Sequence, residues 1–198
     1  TLSFDLHMGC AGFPYGISVG YSLSKSFCKD VLVIFGDTSR MFVSDSDRSL
    51  YPLMADGYSA VLIGSMDGAR AHFKCMSSYR PDALRVSTST EDTGTLNQRL
   101  LMNGSKVFEF AVQSVPEFIQ SSLVAGSENC MLDPVLGFIH QPNEYMVSLI
   151  SRKVSGSLKI VADEDQAKIG NLNSASIPAM MSLYCKRHQK NVSGSLLA

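Results

Sequence analysis

Short apolar runs alternate with longer amphipathic segments along this sequence of 198 residues. Residues 31–35 form a continuous, largely β-branched apolar run, which predicts a strand buried on both faces. Apolar residues recur at helical spacing across residues 11–26, which predicts a helix with one buried stripe. The same reasoning predicts further strands at 2–7, 58–64, 69–77, 135–139, 158–162 and 194–198, and helices at 103–125, 143–153 and 174–187. This alternation of strands and helices indicates an α/β fold with layered sheets.

Two regions depart from the alternating pattern. Residues 78–98 are polar, rich in Ser and Thr and poor in apolar positions, so we predict a long loop there. The sequence also begins inside a predicted strand, without an initiator Met, and ends inside another. We therefore expect it to be a piece of a longer protein.

Composition narrows the classes of function. The formal net charge is −1 and no basic run occurs, so neither nucleic acid nor an anionic membrane is an expected partner. No apolar stretch approaches the roughly 18 residues that cross a bilayer, and no charged-then-apolar leader is present. The five cysteines are scattered and contain no Cys-x-x-Cys pair, which argues against a disulfide framework or a zinc site. A reducing compartment, the cytoplasm, is expected.

Cys10 lies where a strand is predicted to turn into a helix. It is flanked by Gly9, Ala11 and Gly12, whose small side chains would let a substrate approach. A helix N-terminus stabilises a thiolate, the nucleophilic form of cysteine, through its free N–H groups and dipole. A cysteine buried at a helix start is the alternative, and this residue alone favours that alternative.

His140 and Asn171 are the other two residues with a setting suited to chemistry. His140 follows an apolar strand, and ligands of α/β sheets gather at the carboxyl ends of strands. Asn171 lies in a glycine turn that leads into a helix. A hydrogen-bonded structural histidine and a simple capped turn are the alternatives for these two segments.

Taken together, these segments resemble the β-ketoacyl-[acyl carrier protein] synthase III family of the thiolase superfamily. The segment from Phe4 to Phe13 is similar to the family's nucleophile segment, His140-Gln-Pro-Asn143 to its His-Gln-Ala-Asn box, and the segment from Gly170 to Pro178 to its Gly-Asn-Thr-Ser-Ala-Ala-Ser box. Three further stretches occur in the family's order, namely 45–48, 54–61 and 102–108. The likeness therefore runs along nearly the whole chain.

The resemblance implies a thiolase-like layered αβαβα fold with the family's N-terminal portion and last C-terminal loop lying outside this sequence. Residues 1–77 would be the end of the N-terminal half with the nucleophile, 78–101 a loop, and 102–198 the C-terminal half with the His and Asn boxes. The implied activity is an acyltransferase reaction, a decarboxylating condensation between an acyl group and a malonyl thioester. It serves fatty acid or related secondary-metabolite synthesis and uses no metal or organic cofactor.

The resemblance also assigns roles to residues. Cys10 would carry the acyl group and its backbone N–H would contribute to the oxyanion hole. His140 and Asn171 would bind the malonyl thioester carbonyl, and neutral donors there would stabilise the enolate left by decarboxylation. The boxes also place Phe13, Gln141 and Asn143 among the substrate-binding residues. The expected partners are acyl-CoA, acyl carrier protein and a second copy of the chain.

The sequence departs from the family at several positions. Tyr145 stands where the family has a basic residue used with its carrier protein, Pro142 replaces a small residue, and Leu172 and Asn173 alter the Asn box. Two alternatives therefore stay open beside the condensing enzyme. One is a catalytically silent subunit of a heterodimer with the same fold, and the other is a non-decarboxylating acyl-CoA condensing enzyme.

Overall fold

A computed structural model describes residues 2–64, 71, 73–90, 96–126, 136–156, 158–161, 168–189 and 195–197. Predicted elements at other positions lie outside the described residues. None of the helices in these ranges has the length and apolar character needed to span a membrane.

The N-terminal part packs a helix on a two-stranded antiparallel sheet. A 3₁₀ turn, Gly9–Ala11, leads into helix α1, Gly12–Phe27, which is followed by β1, Val31–Asp37, and β2, Gly57–Ile63. The two strands pair from Val31 opposite Ile63 to Asp37 opposite Gly57. These bounds confirm the predicted helix and both predicted strands.

The prediction that β1 is buried on both faces is wrong for the described residues. Val33 and Phe35 face α1, where Gly16 leaves room for them: a Cβ on Gly16 would lie 2.8 Å from a ring atom of Phe35. On the other face Leu32 is 60% exposed and Ile34 is 68% exposed. The apolar run would allow both faces of β1 to be buried, but within the described residues α1 covers only one of them.

The predicted loop at 78–98 is wrong over residues 84–90 and 96–98, whereas residues 78–83 have no strand and residues 91–95 lie outside the described residues. Strands β3, Leu84–Thr90, and β4, Leu96–Met102, pair as an antiparallel ribbon whose register runs from Leu84 opposite Met102 to Thr90 opposite Leu96. The low apolar content hid the strands: residues 84–86 are exposed, and an exposed strand needs few apolar residues. The β-branched residues Val86, Thr88 and Thr90 suit an extended backbone nevertheless.

The C-terminal part contains a parallel sheet with helices against it. Strand β5, Leu136–Phe138, lies between β6, Lys159–Ile160, and β7, Ser195–Leu197. Helices α2, Gly104–Gly126, α3, Glu144–Val154, and α4, Ser176–His188, complete this part. Ile119 of α2 and Ile150 of α3 are buried in a shared apolar cluster. These elements confirm the predicted helices and, within the described residues, the predicted strands.

Two other predicted strands are not found in the described residues. Residues 2–8 have no strand assignment and are exposed, and residues 73–77 likewise have none. The alternating pattern of 2–7 is compatible with a strand, but a strand also needs a hydrogen-bonded neighbour, and none is present in the part of the chain described here.

A central apolar cluster joins the two parts of the fold. Phe13 of α1 and Phe35 of β1 pack with their ring centroids 5.0 Å apart. The same cluster includes Phe138 of β5 and Ile177 and Met180 of α4. It therefore fixes the start of α1 relative to the end of β5 and the start of α4, which are the positions of the three predicted boxes.

Candidate active site

The three predicted catalytic residues converge on Asn173. The Cys10 thiol donates a hydrogen bond to Asn173 Oδ1 over 3.0 Å. The Asn173 backbone N–H donates to Asn171 Oδ1 over 2.9 Å, and the His140 ring interacts with the Asn173 backbone. Residues that lie far apart in the sequence are thus brought together at one turn.

Glycine geometry sets the position of Cys10. Gly9 adopts φ +52°, in the left-handed region that glycine occupies without a steric penalty, and so turns the chain into the 3₁₀ turn that holds Cys10. Gly12 then packs directly on the Asn box, since a Cβ there would lie only 2.8 Å from the Ser174 Cβ. Glycine at position 12 therefore lets Cys10 reach Asn173.

The Asn171 turn is held by hydrogen bonds on both sides. The Asn171 N–H donates to Leu53 O over 2.8 Å, and the Ala55 N–H donates to Asn171 O over 2.9 Å. Gly170 has φ +89°, so a glycine is required before Asn171. These contacts fix the Asn171 backbone and leave its amide group to face the site.

Asp37 anchors the next residues of the Asn box. Its Oδ2 accepts a hydrogen bond from the Ser174 N–H over 3.1 Å and another from the Ser174 hydroxyl. Asp37 ends β1, so this contact ties the Asn box to the strand that packs on α1. The same carboxylate acts electrostatically on Cys10.

His140 is held in its neutral form. Burial lowers the pKa of its imidazole from 6.5 to about 4, and the interaction with the Asn173 backbone opposes this shift. The Nδ1 atom is covered by protein and has no hydrogen-bond partner within the described part of the chain. A neutral imidazole can donate one hydrogen bond and accept another at neutral pH.

The pKa of Cys10 moves in the opposite direction to the one that its position at a helix start suggested. Burial raises the pKa of the thiol to about 11, the Asp37 carboxylate raises it further, and the Cys10 backbone N–H opposes them. Desolvation of a thiolate and repulsion by a carboxylate outweigh the stabilisation that N–H groups at a helix start supply. At neutral pH Cys10 is therefore a neutral thiol and His140 a neutral imidazole.

The other residues assigned to substrate binding have mixed positions. Phe13 is 1% exposed in the central apolar cluster, and Gln141 donates from Nε2 to Val161 O over 3.2 Å in the interior. Neither side chain lines the two cavities described next, and their role in substrate binding stays a prediction. Asn143 caps α3 by accepting the Met146 N–H over 2.9 Å, as its place before a helix predicts.

A cavity of about 140 Å³ lies beside Asn171 and Asn143. Its lining is mostly apolar and comprises Leu53, Met54, Met102, Gly104, Val107, Phe108, Pro142, Asn143, Met146 and Asn171. A second, wider groove of about 1220 Å³ lies between residues 2–9 and β1. The smaller cavity is the better candidate for a substrate arm, since one of the predicted catalytic residues lines it.

Sequence reasoning missed the contribution of Asn173, Asp37 and Ser39. Asn173 was noted only as a departure from the Asn box, yet it contacts all three predicted catalytic residues. Its φ of +49° belongs to the left-handed region, which asparagine tolerates better than most residues. An asparagine following a glycine turn was therefore the available signal, although it does not reveal the contacts.

The low pKa of His140 predicts a dependence of stability on pH. Because the folded-state pKa, about 4, lies below the unfolded value of 6.5, the neutral ring stabilises the fold above pH 6.5. This contribution, about 3 kcal/mol for the full shift, is lost as the pH falls from 6.5 through 4. Denaturant unfolding at pH 7.5 and pH 4.5 should show a larger loss of unfolding free energy for the wild type than for His140→Gln. Equal losses in the two proteins would contradict the burial of this ring.

Residues 4–79 match the sequence profile of a protein family that is described as 3-oxoacyl-[acyl-carrier-protein (ACP)] synthase III. The putative 3-oxoacyl-[acyl-carrier-protein] synthase 3 of Campylobacter jejuni is 28% identical over 199 residues, covering 91% of this chain and 56% of that protein. The β-ketoacyl-[acyl-carrier-protein] synthase III 2 of Bacillus cereus is 30% identical over 206 residues, covering 100% of this chain and 62% of that protein. The chain thus spans about three fifths of the length of these relatives.

Solved structures show the same likeness. The crystal structure of 3-oxoacyl-(acyl carrier protein) synthase III from Pseudomonas aeruginosa PAO1 superposes with a TM-score of 0.84 at 25% identity, covering 99% of this chain and 63% of that one. Germicidin synthase from Streptomyces coelicolor, a type III polyketide synthase, superposes with a TM-score of 0.60 at 16% identity, covering 98% and 52%, and supports the fold alone. The chain has an α/β, thiolase-like fold, and the similarity to the 3-oxoacyl-[acyl-carrier-protein] synthase III family that the three boxes predict is confirmed.

Proposed function

We propose that the protein is an acyltransferase that forms a carbon–carbon bond by decarboxylating condensation. Cys10 would carry an acyl group, and a malonyl thioester would supply two carbons to give a β-ketoacyl thioester. The observation that carries this proposal is the convergence of Cys10, His140 and Asn171 on Asn173. A thiol, a neutral imidazole and an amide at one turn match what this reaction needs.

The first half of the reaction is acyl transfer to Cys10. The sulfur attacks the thioester carbonyl of the acyl donor, the bond to the donor sulfur breaks, and the Cys10 proton leaves with the released thiol. A thiolate derived from a thiol of high pKa is scarce at neutral pH but intrinsically more nucleophilic. Covalent attachment then divides one difficult condensation into two easier steps.

The second half is the decarboxylation of the malonyl group and attack on the acyl-enzyme. Loss of carbon dioxide leaves a thioester enolate, whose oxygen would receive hydrogen bonds from His140 and Asn171. Because burial keeps His140 neutral, both groups can donate without carrying a net charge. The enolate carbon attacks the acyl carbonyl, and the Cys10 sulfur leaves as a thiolate that recovers a proton. No metal or organic cofactor takes part in these steps.

The proposed substrates are an acyl-CoA and a malonyl thioester carried on CoA or on acyl carrier protein. The small cavity beside Asn171 has room for a narrow thioester arm. Carrier-protein binding would differ from that of the family, since Tyr145 is 65% exposed and stacks on the Phe108 ring at a centroid distance of 5.8 Å. An aromatic surface contact would replace the ion pair that a basic residue supplies.

A homodimer is the proposed assembly, in the cytoplasm. Within the described residues, β2 pairs with β1 on one side and has no strand on its other side. A second copy could add its own β2 at that edge about a two-fold axis. The exposed side chains of Tyr58 and Leu62 lie on this strand and would then lose part of their exposed area.

The proposed function is tested by malonyl dependence. The intact protein is incubated with acyl-CoA substrates of increasing chain length, with carboxyl-labelled malonyl-CoA or malonyl carrier protein. We expect release of labelled carbon dioxide together with a β-ketoacyl product in equal amounts. A product formed without loss of carbon dioxide would favour a non-decarboxylating enzyme. Absence of both from the purified homo-oligomer, with turnover only after a second subunit is added, would favour the silent subunit.

A further inference from the structure

The Asn173 amide is held at both ends. Its Oδ1 accepts the Cys10 thiol over 3.0 Å, and its Nδ2 donates to the Ser39 hydroxyl oxygen. Ser39 is 6% exposed and lies in the 3₁₀ turn Ser39–Phe42, between β1 and β2. The amide therefore lies in a fixed plane between the sulfur and a buried hydroxyl.

The chemistry of this pair allows two arrangements with the same heavy-atom positions. An amide presents an acceptor on one side and a donor on the other, and a hydroxyl can donate or accept. If the amide turns by half a rotation about its last side-chain bond, Nδ2 faces the sulfur and Oδ1 faces Ser39. Ser39 then donates instead of accepting, and no hydrogen bond is lost.

The charged and titratable groups around Cys10 supply no positive charge that would stabilise its thiolate. Asp37 is negatively charged and raises the pKa of the thiol, and His140 is neutral above about pH 4. The Cys10 backbone N–H is the one contact in the described site that lowers this pKa. The side-chain Nδ2–H group of Asn173 is therefore well placed to supply a second neutral donor when the Cys10 thiol loses its proton.

We propose that Asn173 and Ser39 form an amide–hydroxyl pair that positions the Cys10 sulfur in both its thiol and its thiolate forms. The proposal rests on the proposed role of Cys10 as nucleophile and assigns Asn173 as a positioning residue. In the resting site the amide oxygen accepts the thiol proton. When the thiolate forms, or when it is released at the end of condensation, the turned amide donates to it.

The test is site-resolved alkylation of Cys10 by iodoacetamide in the intact protein, followed between pH 7 and pH 11 by peptide mass spectrometry. Alkylation forms the sulfur–carbon bond, releases iodide and passes the thiol proton to the buffer. Asn173→Asp keeps the shape and tolerates the left-handed backbone, but its carboxylate only accepts and adds a negative charge. We expect Cys10 alkylation at pH 8.5 to fall by about ten-fold or more, with the pH profile displaced upward.

Two variants of Ser39 distinguish a role in positioning the Cys10 sulfur from a purely structural role. Ser39→Ala removes the hydroxyl that completes the pair and should slow alkylation of Cys10 by about three-fold, whereas Ser39→Thr keeps a hydroxyl and should restore the wild-type rate. The exposed Cys28 is an internal control whose alkylation should be the same in every variant. A wild-type pH profile in folded Asn173→Asp, or equal rates in Ser39→Ala and Ser39→Thr, would overturn the pair.

Alkylation does not require acyl transfer, so the two proposals can fail separately. Displaced profiles in Asn173→Asp with no acyl-enzyme from any thioester would support the pair and refute the condensing function. Normal condensation with an unchanged alkylation profile in Asn173→Asp would support the condensing function and refute the pair.

Discussion

Replacing Cys10 with alanine should abolish the acyl-enzyme and lower condensation by at least about a thousand-fold. The side chains that act on Cys10 in the described part of the chain, the Asn173 amide and the Asp37 carboxylate, cannot form a comparable thioester. The measurement is the intact mass of the protein after incubation with a panel of acyl-CoA substrates, followed by peptide mapping. The wild type should gain one acyl group on Cys10, and Cys10→Ala should gain none.

The acyl thioester is a more selective probe of Cys10 than the total uptake of a general alkylating agent. Cys28 and Cys75 are exposed, whereas burial and Asp37 raise the pKa of Cys10 to about 11. A general reagent therefore labels the surface thiols first. Under the proposed function a bound thioester would select Cys10 instead, because binding would hold its carbonyl next to this sulfur.

Cys28→Ser is the matched control for this experiment. It removes a free thiol of the same chain on the surface, away from the Asn173 turn, and should leave both the acyl mass and the condensation rate unchanged. An undiminished acyl adduct in Cys10→Ala would refute the assignment of the nucleophile. Loss of the adduct in Cys28→Ser would show that a surface thiol carries the acyl group.

The resemblance of the three boxes to one family predicted that Cys10, His140 and Asn171 form one site, and the structure brings them to the Asn173 turn, while their catalytic roles stay a prediction. Cys10 before a helix, His140 after a strand and Asn171 in a glycine turn each have a local signal, and the fold brings these three kinds of element ends together. The contacts of Asn173 could not be predicted, since they depend on the close approach of Gly12 to Ser174 and on the backbone of a left-handed residue. Such contacts arise from tertiary packing and leave no periodic pattern.

The sequence also did not predict the raised pKa of Cys10 or the exposed face of β1. The helix start suggested a lowered thiol pKa, but burial and the distant Asp37, which the fold brings to the site, reverse the direction. Likewise, the apolar run of β1 predicted two covered faces, while Leu32 and Ile34 are exposed in the described part of the chain. A local pattern states what a segment can bury, and the neighbouring elements decide what it does bury.

His140 and Asn171 should be required for decarboxylation but not for acylation of Cys10. Asn171→Asp keeps the oxygen that accepts the Asn173 N–H, but replaces the donor NH₂ with a carboxylate that repels the enolate. We expect release of carbon dioxide from malonyl thioester to fall by about a thousand-fold, and by about a hundred-fold in His140→Gln. Acylation of Cys10, read by intact mass, should stay within a few-fold of the wild type in both variants.

The matched control for His140→Gln is His188→Gln, on the exposed end of α4, where His188 packs against the Tyr184 ring. This control should decarboxylate like the wild type. If His140 and Asn171 donate to the same enolate oxygen, the double variant should lose little more than Asn171→Asp alone, because groups that act as a unit are not additive. Fully additive losses would mean that the two residues act on different atoms, and loss of acylation in either variant would place them in the first half-reaction instead.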